Sequence, residues 1–266
     1  MKTIYDFDNQ QMKESQTMQK DNARSFRTSH QKLLRFRLYG NFAHFNQPIS
    51  NRFRNTYSII PKPQLLGILG SIAGLSGYKN SKIIPEFYQL LKNLKLYIKQ
   101  NNAQDKKFNL QYNSLNSFLN NRPDAPSPNV IIHEQVLFRP NYEIGIVVNE
   151  DNLIHKTIIE KIQNHSSTFP IYFGKNEFFA SIEYISFEDC EKNSKKELFE
   201  FEGIFPFDEI DGENNEQIKL ELLPIDFDEN HKYKYRLMAI PQKKCTVALK
   251  NPTNCIVSKE NIYYCI

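Results

Sequence analysis

Residues 33–78, LLRFRLYGNFAHFNQPISNRFRNTYSIIPKPQLLGILGSIAGLSGY, constrain the fold more than any other stretch of the chain. They begin with strict alternation. Leu34, Phe36 and Leu38 fall on one side of an extended segment and Arg35, Arg37 and Tyr39 on the other. That is the pattern of a half-buried strand whose second face is basic and aromatic. Gly40 ends the alternation, and Phe42, His44, Phe45, Arg52 and Arg54 follow in a polar loop. A Pro-punctuated turn then leads to Leu65, Leu66, Ile68, Leu69, Ile72 and Leu75, an apolar stripe at helical spacing.

This helix carries an unusual face. Gly67, Gly70, Ser71 and Gly74 stand at i, i+3, i+4 and i+7, so one side is nearly bare. Each interior glycine costs about 1 kcal/mol relative to alanine, a penalty that close approach of another backbone would offset. Pro63 suits a first helical position. Lys62, read as the capping residue, has no side-chain oxygen for the first N–H groups. Those donors and the positive end of the helix dipole are then open to an anion such as a phosphate. The plainer reading is a small-residue face packed on a sheet, with water at the N-terminus.

The series Gly40, Phe42-Ala43-His44-Phe45, Asn55-Thr56-Tyr57, Pro61, Pro63 and Gly67-Ile68-Leu69-Gly70 resembles the N-terminal signature of the Cas family-five proteins. These belong to the RAMP superfamily of CRISPR RNA-binding proteins and serve in the type I Cascade complex. Glu134–Val148 and Phe169–Ile185 resemble the family less sharply, so the likeness spans roughly residues 33 to 185. The closest similarity is to subtype I-B. The resemblance implies a subunit that caps the 5′ handle of the CRISPR RNA and bridges the first backbone subunit to the large subunit in antiviral defence. It also implies protein partners, a Cascade backbone subunit and the large subunit, with target DNA reached only through the complex.

The totals are compatible with such a role. The net charge of +4 conceals a split: residues 1–150 hold 20 Lys and Arg against 10 Asp and Glu, whereas residues 151–266 hold 14 against 20. A basic first half points to a polyanion and an acidic second half to a protein partner or solvent. No apolar run of about 18 residues exists to span a membrane, and residues 1–16 lack the apolar core of a secretion signal. Cysteines 190, 245, 255 and 265 include no C-x-x-C pair. Reduced thiols in a cytoplasmic protein without bound metal or cofactor are the expectation.

The order of elements points to an α+β chain. Residues 1–30 are polar and without apolar periodicity, an extension. Residues 31–185 read as one ferredoxin-like domain, strand–helix–strand repeated. In it, 85–93 is helical and 94–99 a second alternating strand with Lys95, Tyr97 and Lys99 outward. The 130–148 segment is two strands broken at Pro140-Asn141, and 151–164 an amphipathic helix capped by Asp151. Residues 101–129 contain eight Asn and three Pro, too long for an idle loop. The resemblance assigns a thumb hairpin there, and a disordered insertion is the alternative. Residues 186–266 read as an acidic, irregular, β-rich part with short strands near 219–223, 233–240 and 246–249.

Neither Walker A, G-x-S-x-G nor H-E-x-x-H occurs. One branch of the resembled family cleaves repeat RNA without metal, using Tyr, Lys and His. Tyr57 and His133 are the alternative catalytic residues here, but Ile132 stands where a lysine would be needed and Glu134 would repel the scissile phosphate. The expected RNA contacts are Arg35, Arg37, Tyr39, His44, Arg52, Arg54, Tyr57, Lys95, Lys99 and Arg122, cations to phosphates and rings to bases. Gly67, Gly70 and Gly74 are expected to permit close packing. A metal-independent endoribonuclease and a stand-alone single-stranded nucleic-acid binder are the rival readings.

Overall fold

The computed structural model describes residues 31–49, 53–80, 83–101, 106–115, 129–193, 198–211, 218–259 and 261–266. The expected extension at 1–30, Arg52, Arg122 and most of the expected thumb at 101–129 lie outside the described residues.

The alternating segment forms strand β1 (Lys32–Gly40) at the inside of a four-stranded antiparallel sheet. After it come helices α1 (Lys62–Ala73) and α2 (Glu86–Leu91), then β2 (Leu96–Gln100). Next are β3 (Lys107–Leu115), β4 (Asn129–Phe138), β5 (Asn141–Val148), helix α3 (Leu153–Gln163) and β6 (Ala180–Asp189). The sheet runs in the order β2-β5-β1-β6. Leu34, Phe36 and Leu38 are fully buried and share one apolar cluster with Leu66, Leu69 and Ile72 of α1 and Ile158 and Ile162 of α3. Both helices therefore cover the same face, as the period-2 and period-3.6 patterns require.

The loop after Gly40 is not simply polar. Phe42–Ala43 pairs antiparallel, and Phe53–Arg54 parallel, with β4. On its other side β4 pairs with β3 from Lys107↔Leu137 to Leu115↔Asn129, so a hairpin stands between β2 and β5 in the chain.

Two helix starts differ by one residue from the sequence reading. Pro61, not Lys62, occupies the α1 cap position and Pro63 the second helical one. The Lys62 amine donates to the main-chain oxygen of Ile266 at 3.0 Å. In α3 the cap is Asn152, whose Oδ1 accepts from the Ile154 and His155 N–H groups at 2.9 and 3.2 Å. Asp151 lies one residue too early, because the side-chain oxygen must reach the second and third helical N–H groups.

The C-terminal part adds β7 (Leu198–Phe201), β8 (Ile218–Phe227), β9 (Tyr233–Pro241), β10 (Cys245–Leu249), β11 (Cys255–Ser258) and β12 (Asn261–Tyr264). It closes onto the main sheet in two ways. Ile266 exchanges N–H···O bonds with Leu96 at 3.2 and 2.9 Å, and Ile204 N–H donates to Ile98 at 2.8 Å, so the free edge of β2 is occupied. Tyr263 also lies edge-on over Tyr97, 4.9 Å between centroids. Tyr97, expected to face outward, is only 4% exposed for that reason. Among the described residues no helix is long and apolar enough to cross a membrane.

Candidate nucleic-acid interface

The alternation of β1 places Arg35, Arg37 and Tyr39 together on the sheet face opposite the helices, and carboxylates from neighbouring strands meet the two cations. Arg35 donates to Glu143 at 2.9 and 2.6 Å and lies 5.4 Å from the Tyr263 ring. Arg37 reaches Asn141 at 2.9 Å and Glu183 at 3.0 Å, and its guanidinium sits 4.5 Å over Tyr39. Lys99 contacts Glu202 at 2.7 Å. Lys95 is half-buried, near Cys190 and Cys265. The sequence pattern identifies this face as basic but not the acids interleaved with it.

At the root of the β3–β4 hairpin, Glu134 is 1% exposed. Its oxygens take Lys175 at 2.8 Å and the Tyr112 hydroxyl at 3.2 Å, with Arg54 3.8 Å away. Burial works against the charge of Lys175, but hydrogen bonds to Glu134 and Glu177 outweigh it and its pKa is raised. Glu134 therefore stands inside an ion cluster, and alternation turns it away from its neighbour His133. The proposed repulsion of a phosphate at His133 by Glu134 does not fit that placement. Phe42, Phe108, Phe138 and Phe178 pack their rings around the same root, at centroid distances of 5.7 to 6.4 Å.

The remaining expected residues make other contacts. His44 is 5% exposed, with Nδ1 2.8 Å from the Gln135 carbonyl. The His133 ring stacks on Phe53 at 5.1 Å. Tyr57 is buried, and burial together with a hydrogen bond to Tyr235 pushes its hydroxyl pKa well up. Tyr57 and His133 thus have different neighbours, Tyr235 and Phe53 respectively. Lys175, Tyr112 and the true setting of Glu134 escaped the sequence reading. They come from three separated segments, and no local pattern links them.

Of the three glycines, Gly70 faces Phe87 of α2, and a Cβ there would overlap the Phe87 Cβ. A side chain rather than a backbone fills the bare face. Gly74 ends α1 in the left-handed conformation, φ 81°, beside Thr168. Gly67 is different: a Cβ there would meet only the Phe87 ring, at 3.8 Å. It opens instead onto a groove of about 820 Å³ between α1 and the 169–179 loop.

Residues 33–238 match the family described as CRISPR-associated protein (Cas_Cas5). Among solved structures, a chain of a "CRISPR RNA-guided surveillance complex" is similar at TM-score 0.50 and 11% identity, covering 81% of this chain and 90% of that one. A CRISPR protein from Archaeoglobus fulgidus is similar at TM-score 0.48 and 15% identity, over 88% of this chain and 97% of that one. A chain of the Type III-B Cmr-beta complex bound to cognate target RNA and AMPPnP is similar at 0.47 and 12%, over 80% and 86%. No curated protein sequence matches the chain. The first of these structural likenesses accords with the α+β architecture.

Proposed function

The chain belongs to the Cas5 family of CRISPR-associated proteins, and from that premise we propose that it is a non-catalytic RNA-binding subunit of a type I Cascade effector, nearest to subtype I-B. It caps the 5′ handle of the CRISPR RNA and bridges the first backbone subunit to the large subunit. The observation that carries this reading is the β3–β4 hairpin. Its strands pair over nine positions and are held to the body by the Glu134 ion cluster and the surrounding phenylalanines. Such a rooted hairpin suits the role of a thumb laid against RNA. The order β2-β5-β1-β6, with helices between the first and second and the third and fourth of these strands in sequence, supports a ferredoxin-like domain over residues 31–185. Residues 186–266 then make the protein-facing part.

RNA contacts are assigned to Arg35, Arg37, Tyr39, Lys95 and Lys99 on the sheet face and Arg54 at the hairpin root. The carboxylate partners do not preclude this. Exposed ion pairs such as Arg37–Glu183 contribute about 0–1 kcal/mol, so a phosphate competes for the cation on favourable terms. Absence of catalysis is supported by the burial of Tyr57 and by the raised pKa of its hydroxyl, which suits no general base.

The test is purified protein with its cognate repeat RNA in EDTA. Tight binding and intact RNA over hours are expected, and the RNA that co-purifies should begin with a repeat-derived handle. A single cut that His133→Ala abolishes without weakening binding would make the chain a processing endoribonuclease instead.

A further inference from the structure

Gly67 and Gly70 lie inside α1 and Gly74 ends it, and packing or the helix end accounts for only two of the three. Gly70 yields to Phe87 and Gly74 to the helix end and Thr168, whereas Gly67 has ordinary van der Waals room for a methyl group. A glycine inside a helix costs about 1 kcal/mol relative to alanine, so its absence of side chain calls for another cause. Gly67 and Ser71, one turn apart, form the floor of the 820 Å³ groove.

The walls of that groove are aromatic and open. Tyr78 is 59% exposed, Phe169 49%, Tyr172 40% and Phe179 66%. Four large rings around one concavity leave apolar surface in water that folding alone would bury. Among the described residues no Lys, Arg, Asp or Glu lines the groove, so that lining carries no charge for a phosphate. Its polar groups are neutral: Gln64, Ser71, Ser76 and Asn176. The Gln64 Oε1 is buried without a hydrogen-bond partner among the described residues. A volume of this size holds one small ligand. Flat aromatic walls with amide and hydroxyl groups at the edge suit a nucleobase, which stacks by its faces and hydrogen-bonds by its rim.

Lys175, the cation between two groove residues, is paired with Glu134 and Glu177, so a phosphate there competes with those carboxylates. Gly174 and Asn176 line the groove, and Lys175 between them points to the opposite side, onto Glu134. The 171–179 loop thus separates the apolar groove from the charged hairpin root.

We propose that this groove receives one unstacked base of the bound RNA, with its backbone crossing the Lys175 side of the loop. The proposal rests on the RNA-binding reading above. The experiment scans single abasic positions along the repeat-derived stretch of the CRISPR RNA, using the full chain and its Phe179→Ala and Gly67→Leu variants. At one position loss of the base should weaken binding roughly 5- to 150-fold, the range of one base–aromatic stack. Phe179→Ala, a substitution at an exposed ring, should weaken intact RNA comparably and make that abasic position indifferent, while the dependence on salt stays unchanged. Gly67→Leu, which fills the floor, should do the same if circular dichroism shows it folded. Salt-dependent RNA binding with no position that couples to Phe179 would overturn the groove proposal and leave the RNA reading standing. Loss of a co-purifying protein instead of RNA in Phe179→Ala would also overturn it, giving the groove to a partner's apolar side chain. No RNA binding at all would refute both.

Discussion

Arg35 donates both Nε and Nη2 to a single oxygen of Glu143, at 2.9 and 2.6 Å, from one strand of the main sheet to the next. Neutralising that carboxylate should release the guanidinium. If Arg35 meets RNA, Glu143→Gln tightens binding at low salt and steepens the log–log salt slope by about 0.7 per added phosphate on a single strand. The unsubstituted chain, with roughly 4–6 phosphates neutralised, should show a slope of about −3 to −4. Fluorescence anisotropy across a salt series reads both quantities. An unchanged slope in Glu143→Gln would remove Arg35 from the contacts.

Among the described residues, Lys175→Met leaves buried Glu134 with the more distant Arg54 as its one remaining cation. Removing one partner of a buried pair costs about 3 kcal/mol, so the urea midpoint should fall, and Glu134→Gln in the same chain should restore part of the loss. The raised pKa of Lys175 sets the pH window. Its contribution is complete below the unfolded lysine value near 10.4 and disappears as pH rises through the folded one. A flat stability profile on the alkaline side, unchanged by the substitution, would contradict the assigned role.

Gly70→Ala brings a methyl group onto Phe87, while Gly77→Ala meets nothing within 4 Å. Overpacking of this kind costs about 1–3 kcal/mol, so Gly70→Ala should melt at lower temperature and Gly70→Leu should spoil folding or assembly. The Gly77 variant should melt within a degree or two of the parent. Equal melting of Gly70→Ala and the parent would mean that α2 shifts freely.

Burial pushes the Cys190 thiol up to about 11 and those of Cys255 and Cys265 up to about 12. Cys245 is buried as well. A thiol kept protonated and covered reacts slowly. Ellman's reagent at pH 8 should therefore titrate almost nothing in the native protein and four groups in guanidinium. Rapid native labelling would show that the C-terminal strands open readily.

Alternation made the two faces of β1 legible, because Leu34, Phe36 and Leu38 leave an antiparallel strand one choice of inner side. The apolar spacing of Ile154, Ile158 and Ile162 likewise marked α3. What alternation does not contain is the identity of the cover. Tyr97 repeats the outward phase of Arg37 and Lys99, yet Tyr263, 166 positions later, lies on it. The same limit hid the site. Glu134 sits on a strand whose neighbours are ordinary, and only the return of the 171–179 loop makes it a buried carboxylate with a lysine. The glycine face was visible in α1, but Phe87, its occupant, belongs to a six-residue helix with no matching signature.

The closure of β2 by Ile204 and Ile266 has a consequence for synthesis. Ile204 follows Ile98 by 106 residues, and the outer side of this edge strand is complete only at Ile266, about 170 residues after Leu96. At 5–20 residues per second the interval is roughly 10–30 s. During its earlier part, before Ile204 arrives, the ribosome-bound chain presents an outer edge of Leu96, Tyr97 and Ile98 without a partner, the geometry on which nascent chains join edge to edge. Yield in cells should therefore follow the rate of elongation and the supply of chaperones as much as the stability of the finished protein.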